Sequence, residues 1–167
     1  FAGGIVEEAA AALARPGGVG PTARQAAGYA EVIEFLAGGI DRDAAIRVAG
    51  ELLVADGCVP AAYVAGMLAR EQVMSTFVGK GIAIPHGLEP DMSTVIRAGV
   101  SVVRLAAPVR WNDDGDEVRY VCGLAATAEE HMGVLAALAE VLDDETSLER
   151  LRTTSDPAEV VQILDPA

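Results

Sequence analysis

The 167-residue chain has two histidines, His86 and His131, and the first lies where chemistry is feasible. In Gly79-Lys80-Gly81-Ile82-Ala83-Ile84-Pro85-His86-Gly87 an apolar, β-branched run meets a proline that can donate no further ladder bond. The imidazole then falls at a strand end, in a loop, on an accessible rim beside glycines that permit close backbone approach. A ring so placed could be a metal ligand, a general base, a covalent nucleophile or a structural group. Metal binding has little support, because HxH and HExxH spacings are missing and Cys58 and Cys122 form no CxxC pair. A serine hydrolase would need a GxSxG elbow, and Ser75, Ser93 and Ser101 have no such context. Covalent catalysis by the imidazole itself requires only a neutral ring and a cation or dipole to meet an incoming anion. His131 and Arg70 could supply those donors, although spacing alone does not bring the three together.

The elements that carry these groups are legible in outline. Asp41-Arg42-Asp43 caps a helix with an apolar face of Ala45, Val48, Ala49, Leu52 and Leu53, and Asp56-Gly57 ends it. Pro60 opens a second helix with Tyr63, Val64, Met67 and Leu68 on one side and Arg70-Glu71 near its end. His131 falls in the first turn of a helix over 129–142, whose apolar residues Met132, Leu135, Leu138 and Leu142 recur at helical spacing. Residues 99–105 and 118–126 read as an antiparallel pair around the turn cluster Trp111-Asn112-Asp113-Asp114-Gly115. A short helix follows at 146–151, and Asp156-Pro157-Ala158-Glu159 opens a last one over 157–164. An apolar run at 32–36 precedes a Gly38-Gly39 turn. Strands interleaved with helices predict a single α/β domain over 29–167, a mixed sheet with helices on both faces. Residues 1–28 are Ala/Gly-rich, with a weak helix at 5–15 broken by Pro16-Gly17-Gly18, and read as an N-terminal extension or interdomain linker.

Composition narrows the partners. Apolar residues make up 51% of the chain and aromatics 4%, so the core is built from Ala, Val, Leu and Ile. A net charge of −13 repels phosphate backbones and argues against nucleic acid. The two cysteines read as buried thiols of a reducing compartment, without a disulfide. Apolar runs are too short for a membrane span. The start lacks a basic segment and an initiator Met, so it reads as no signal peptide and as a piece cut from a longer chain. Lys80, the only lysine, reads as a solvated loop cation with no role. Asp113, Asp114 and Asp116 read as an exposed turn, and Trp111 as a packed hairpin edge.

Residues 75–87 closely resemble the phosphorylation-site motif of the mannitol/fructose-type enzyme IIA domains of the bacterial phosphoenolpyruvate-dependent sugar phosphotransferase system, the mannitol branch above all. The likeness extends over 31–164. Residues 31–57 resemble the family's first strand and helix, 63–71 its second helix, and 143–151 with 156–164 its C-terminal end. Glu129-Glu130-His131 and the apolar helix after it resemble the segment with the second active-site histidine. The resemblance implies that His86 accepts a phosphoryl group from the phosphohistidine of HPr and passes it to a cysteine of enzyme IIB. It further implies that His131 and Arg70 help hold that group, that no metal or cofactor takes part, and that the domain is cytoplasmic, with a membrane enzyme IIC fused or associated. The alternative within the same likeness is a nitrogen-related regulatory enzyme IIA, whose phosphorylation state controls partner binding.

Overall fold

The structure, a computed structural model, describes residues 29–35 and 40–164. The expected helix at 5–15, the linker after it and the Gly38-Gly39 turn lie outside the described residues. The strands are β1 (Tyr29–Phe35), β2 (Phe77–Gly79), β3 (Ile82–Ala83), β4 (Gly99–Arg110) and β5 (Glu117–Ala125). The helices are α1 (Arg42–Ala55), α2 (Tyr63–Val73), α3 (Glu89–Met92), α4 (Ala128–Asp143), α5 (Glu145–Thr153) and α6 (Pro157–Leu164). One mixed sheet runs in the order β1-β4-β5-β3-β2. β1 is parallel to β4 and β3 to β5, while the β4–β5 and β2–β3 pairs are antiparallel.

The two-residue period of the strands divides the core into two layers. Val103, Leu105, Val121 and Ala125 pack with α1 and with Tyr63 and Met67 of α2. Val100, Val102, Tyr120, Cys122 and Leu124 pack on the other face with Leu138 and Val141 of α4, Leu148 and Leu151 of α5, and Val160 and Ile163 of α6. Helices therefore cover both faces, as the alternation of strands and helices predicted.

Local chemistry sets the boundaries. Asp41 Oδ1 accepts the Ala44 N–H at 2.8 Å, the expected cap of α1, and Gly57 (φ 74°) turns the chain after it. α2 begins at Tyr63 and not at Pro60; the Pro60 carbonyl instead accepts the Tyr63 N–H at 3.0 Å in the preceding turn. β4 runs past 105 to Arg110, with a break in register between Arg104 and Val109, and Pro108 falls in that break, where no ladder donor is needed. The β2–β3 hairpin turns through Gly79, Lys80 and Gly81, all at positive φ. Lys80 is no free loop cation: its Nζ donates to the Leu142 carbonyl at 2.6 Å, tying the hairpin to the last turn of α4, where a cation suits the helix dipole. Trp111 is buried and both cysteines are free and buried. Among the described residues no cluster of acidic, histidine or cysteine side chains could hold a metal ion, and no helix is long and apolar enough to cross a membrane.

α1 approaches the sheet closely at Gly123. Ser101, its partner on β4, donates its Oγ to the Ala49 carbonyl at 2.7 Å. A Cβ at position 123 would lie 2.5 Å from Ser101 Oγ and 3.1 Å from Ala49 Cβ. Gly123→Ala is therefore expected to lower stability by about 2 kcal/mol through overpacking, read as a shift in the urea midpoint. An unmoved midpoint would contradict this tight contact.

Candidate functional site

The site begins where β3 stops. The Ile84 N–H donates to the Thr76 carbonyl at 3.0 Å, Pro85 removes the next donor, and His86 forms an isolated parallel bridge with Leu124 of β5. With Ile84 no longer in a ladder, its carbonyl is taken by the imidazole: Nδ1 of His86 lies 2.8 Å from it. A carbonyl can only accept, so Nδ1 carries the proton of the neutral ring and Nε2 keeps its lone pair. His86 as a residue is 8% exposed, far more enclosed than the accessible rim predicted from Pro85 and Gly87. The bridge to Leu124 and a neighbouring imidazole enclose it, neither of which has a local sequence signal.

That neighbour is His131. The two ring centroids are 4.6 Å apart and the planes are tilted by 60°. His131 stands in the first turn of α4, whose start is fixed by Thr127 and Glu130. Glu130 Oε2 accepts the Thr127 hydroxyl at 2.9 Å and its N–H at 3.2 Å, while the His131 N–H donates to the Thr127 carbonyl at 2.9 Å. Arg70, in the last turn of α2, donates Nη1 to the Met74 carbonyl at 2.6 Å. Its charge reaches both imidazoles. Burial first, with smaller contributions from His131 and Arg70 and a partial offset from the Ile84 carbonyl, holds the His86 ring down at about 4. His131 is also held below the ordinary imidazole value, first by burial and then by Arg70.

All three residues singled out from sequence thus meet at one place, around a neutral ring with one free nitrogen. Two contributors lacked a sequence reading beyond their helix. Buried Glu71 accepts the Thr76 N–H at 3.1 Å and the Thr76 hydroxyl, fixing the strand on which Ile84 leans. Tyr63, read only as part of an apolar face, places its hydroxyl against the His86 segment. A phenol on a buried face must find a polar partner, and that was the available signal.

A cation, two imidazoles and an unprotonated ring nitrogen define an anion-accepting, nucleophilic site on an open mixed sheet. The family model of the phosphoenolpyruvate-dependent sugar phosphotransferase system, EIIA 2, matches residues 29–166, and the chain belongs to that family, a phosphoryl-carrier component of such a system. It is 40% identical over 134 residues to the mannitol-specific phosphotransferase enzyme IIA component of Halalkalibacterium halodurans, covering 80% of this chain and 91% of that one. It is 42% identical over 134 residues to a multiphosphoryl transfer protein of Xanthomonas campestris, of which it spans only 16% of the length. The complex of the Escherichia coli mannitol enzyme IIA with phosphorylated enzyme IIB contains a chain that superposes with a TM-score of 0.74 at 35% identity, over 82% of this chain and 95% of that one.

Below the ordinary imidazole value of 6.5 the unfolded chain binds a proton that folded His86 refuses until about pH 4. Stability therefore rises with pH across that window and is lost as pH falls through it, by on the order of 3 kcal/mol for this group. In urea unfolding at pH 4.5 and pH 7, His86→Gln is expected to shrink the difference by at least roughly 1 kcal/mol. Equal pH dependence in both proteins would remove His86 as its source.

Proposed function

We propose that His86 is the phosphoryl-accepting residue and that Nε2 is the atom that reacts. The observation that carries this reading is the Nδ1–H bond to the Ile84 carbonyl, which leaves one nucleophilic nitrogen next to His131 and Arg70. In the proposed step Nε2 attacks the phosphorus of a phosphohistidine on HPr. The Nε2–P bond forms as the donor N–P bond breaks, and the bonding pair returns to the donor imidazole. His86 keeps its Nδ1 proton and gains positive charge, which the Ile84 carbonyl offsets. The Arg70 guanidinium offsets the charge of the phosphoryl oxygens and the neutral His131 ring can donate a hydrogen bond to them, which with in-line positioning is the main requirement of this chemistry. The reverse geometry then delivers the group to a cysteine of enzyme IIB. No metal or cofactor is required.

In this reading the domain works in the cytoplasm with HPr and enzyme IIB, a membrane enzyme IIC being fused or associated, and mannitol or a related sugar is the final acceptor. The names of the relatives support this: one is a mannitol-specific enzyme IIA component, and three are mannitol-specific EIICBA components. So does the surface: Val73, Met74 and Met132, beside Arg70 and His131 in sequence, are exposed apolar side chains suited to brief contacts. Residues 1–28 would be an extension or a linker to a neighbouring domain, with 29–167 the enzyme IIA domain. The nitrogen-related regulatory reading is the alternative; a second imidazole 4.6 Å from that of His86 favours the transport reading, which has a use for it.

With the general phosphotransferase enzyme, HPr and phosphoenolpyruvate, the chain is expected to gain one acid-labile phosphoryl group, mapped by mass to His86 and abolished by His86→Ala. An unchanged mass in the wild-type chain would end the carrier reading. His131→Ala is expected to accept the group yet slow its onward transfer to enzyme IIB; unaltered rates would take His131 out of the site.

A further inference from the structure

The bridge that seats His86 is completed by a side chain. On one side of His86 the rung is direct, the Leu124 N–H donating to the Pro85 carbonyl at 2.9 Å. On the other side the Gly87 N–H donates to the Tyr63 hydroxyl at 3.0 Å, and that hydroxyl donates to the Leu124 carbonyl at 2.9 Å. Both backbone groups flanking the imidazole are thus referred to one residue of β5, one of them through a phenol. Tyr63 is 1% exposed, its ring packed so close to Gly87 that a Cβ there would lie 2.8 Å from Cε2. Burial raises the phenol above its usual range, so it stays protonated and can donate. Tyr63 also stands seven residues before Arg70 on α2, two turns along the same side of the helix.

We infer that Tyr63 is a positioning residue for phosphoryl transfer, its hydroxyl setting the His86 ring relative to the helix that carries Arg70. The inference rests on the carrier reading above and adds to it a group that touches neither donor nor phosphoryl oxygens. In-line transfer is sensitive to small displacements, so loss of this bolt acts on rate more than on folding.

The test compares Tyr63→Phe with Tyr120→Phe. Tyr120 also buries its hydroxyl, donating to the Leu151 carbonyl at 2.7 Å, on the face away from Tyr63, so it reports the structural cost of losing such a bond. With phospho-HPr in single turnover, Tyr63→Phe is expected to take up the phosphoryl group roughly tenfold to a hundredfold more slowly than Tyr120→Phe. The ring-nitrogen chemical shifts of His86 should move in Tyr63→Phe alone. Equal rates with unmoved His86 resonances would overturn the inference. If the wild-type chain takes up nothing, the carrier reading fails, and the resonances still decide whether Tyr63 sets the ring. Should Tyr63→Phe not fold, amide exchange at Gly87 of the wild-type chain decides: strong protection supports the bolt and solvent-like exchange overturns it.

Discussion

One hydrogen bond organises the site, that from Nδ1–H of His86 to the carbonyl of Ile84. An imidazole free in water offers either nitrogen and protonates near neutrality. Bound this way it has one tautomer, one free lone pair and one direction. The bond exists because the ladder ends at that point: the Ile84 N–H goes to Thr76, Pro85 brings no donor, and the next carbonyl needs a partner from a side chain. Glu71 beneath Thr76 secures the strand from below.

Burial and reactivity agree at this imidazole. Desolvation and the nearby Arg70 and His131 disfavour a proton on His86, so the ring stays nucleophilic well into mild acid. His131 is itself held below the ordinary imidazole value, by burial and by Arg70, so the guanidinium is the fixed charge beside two neutral rings. The arrangement therefore suits the approach of an anion to the ring, and Met74 and Met132, near Arg70 and His131 in sequence, are exposed apolar side chains.

The layout was legible where it is local. The Asp41 cap, the Gly57 stop, the helical spacing of Leu135, Leu138 and Leu142, and the Pro157 start all map onto observed boundaries. The resemblance of 75–87 pointed to the family, and the geometry brings His131 and Arg70 to the same place as His86. What escaped was non-local. The enclosure of His86 depends on Leu124 and His131, some 40 residues along, and no window around Pro85 contains that information. Lys80 is exposed in its turn as expected, but its partner Leu142 lies on another element, and Tyr63 satisfies an apolar pattern with its ring while its hydroxyl serves another segment.

The two cysteines acquire a meaning from their depth. Cys58 is pushed up to about 11 and Cys122 to about 12, both mainly by burial, so at neutral pH each is a thiol and not a thiolate. Sulfur is a strong competitor for electrophiles only when ionised. Kept protonated in the core, one in each of its two layers, neither sulfur competes as a nucleophile with the unprotonated nitrogen of His86.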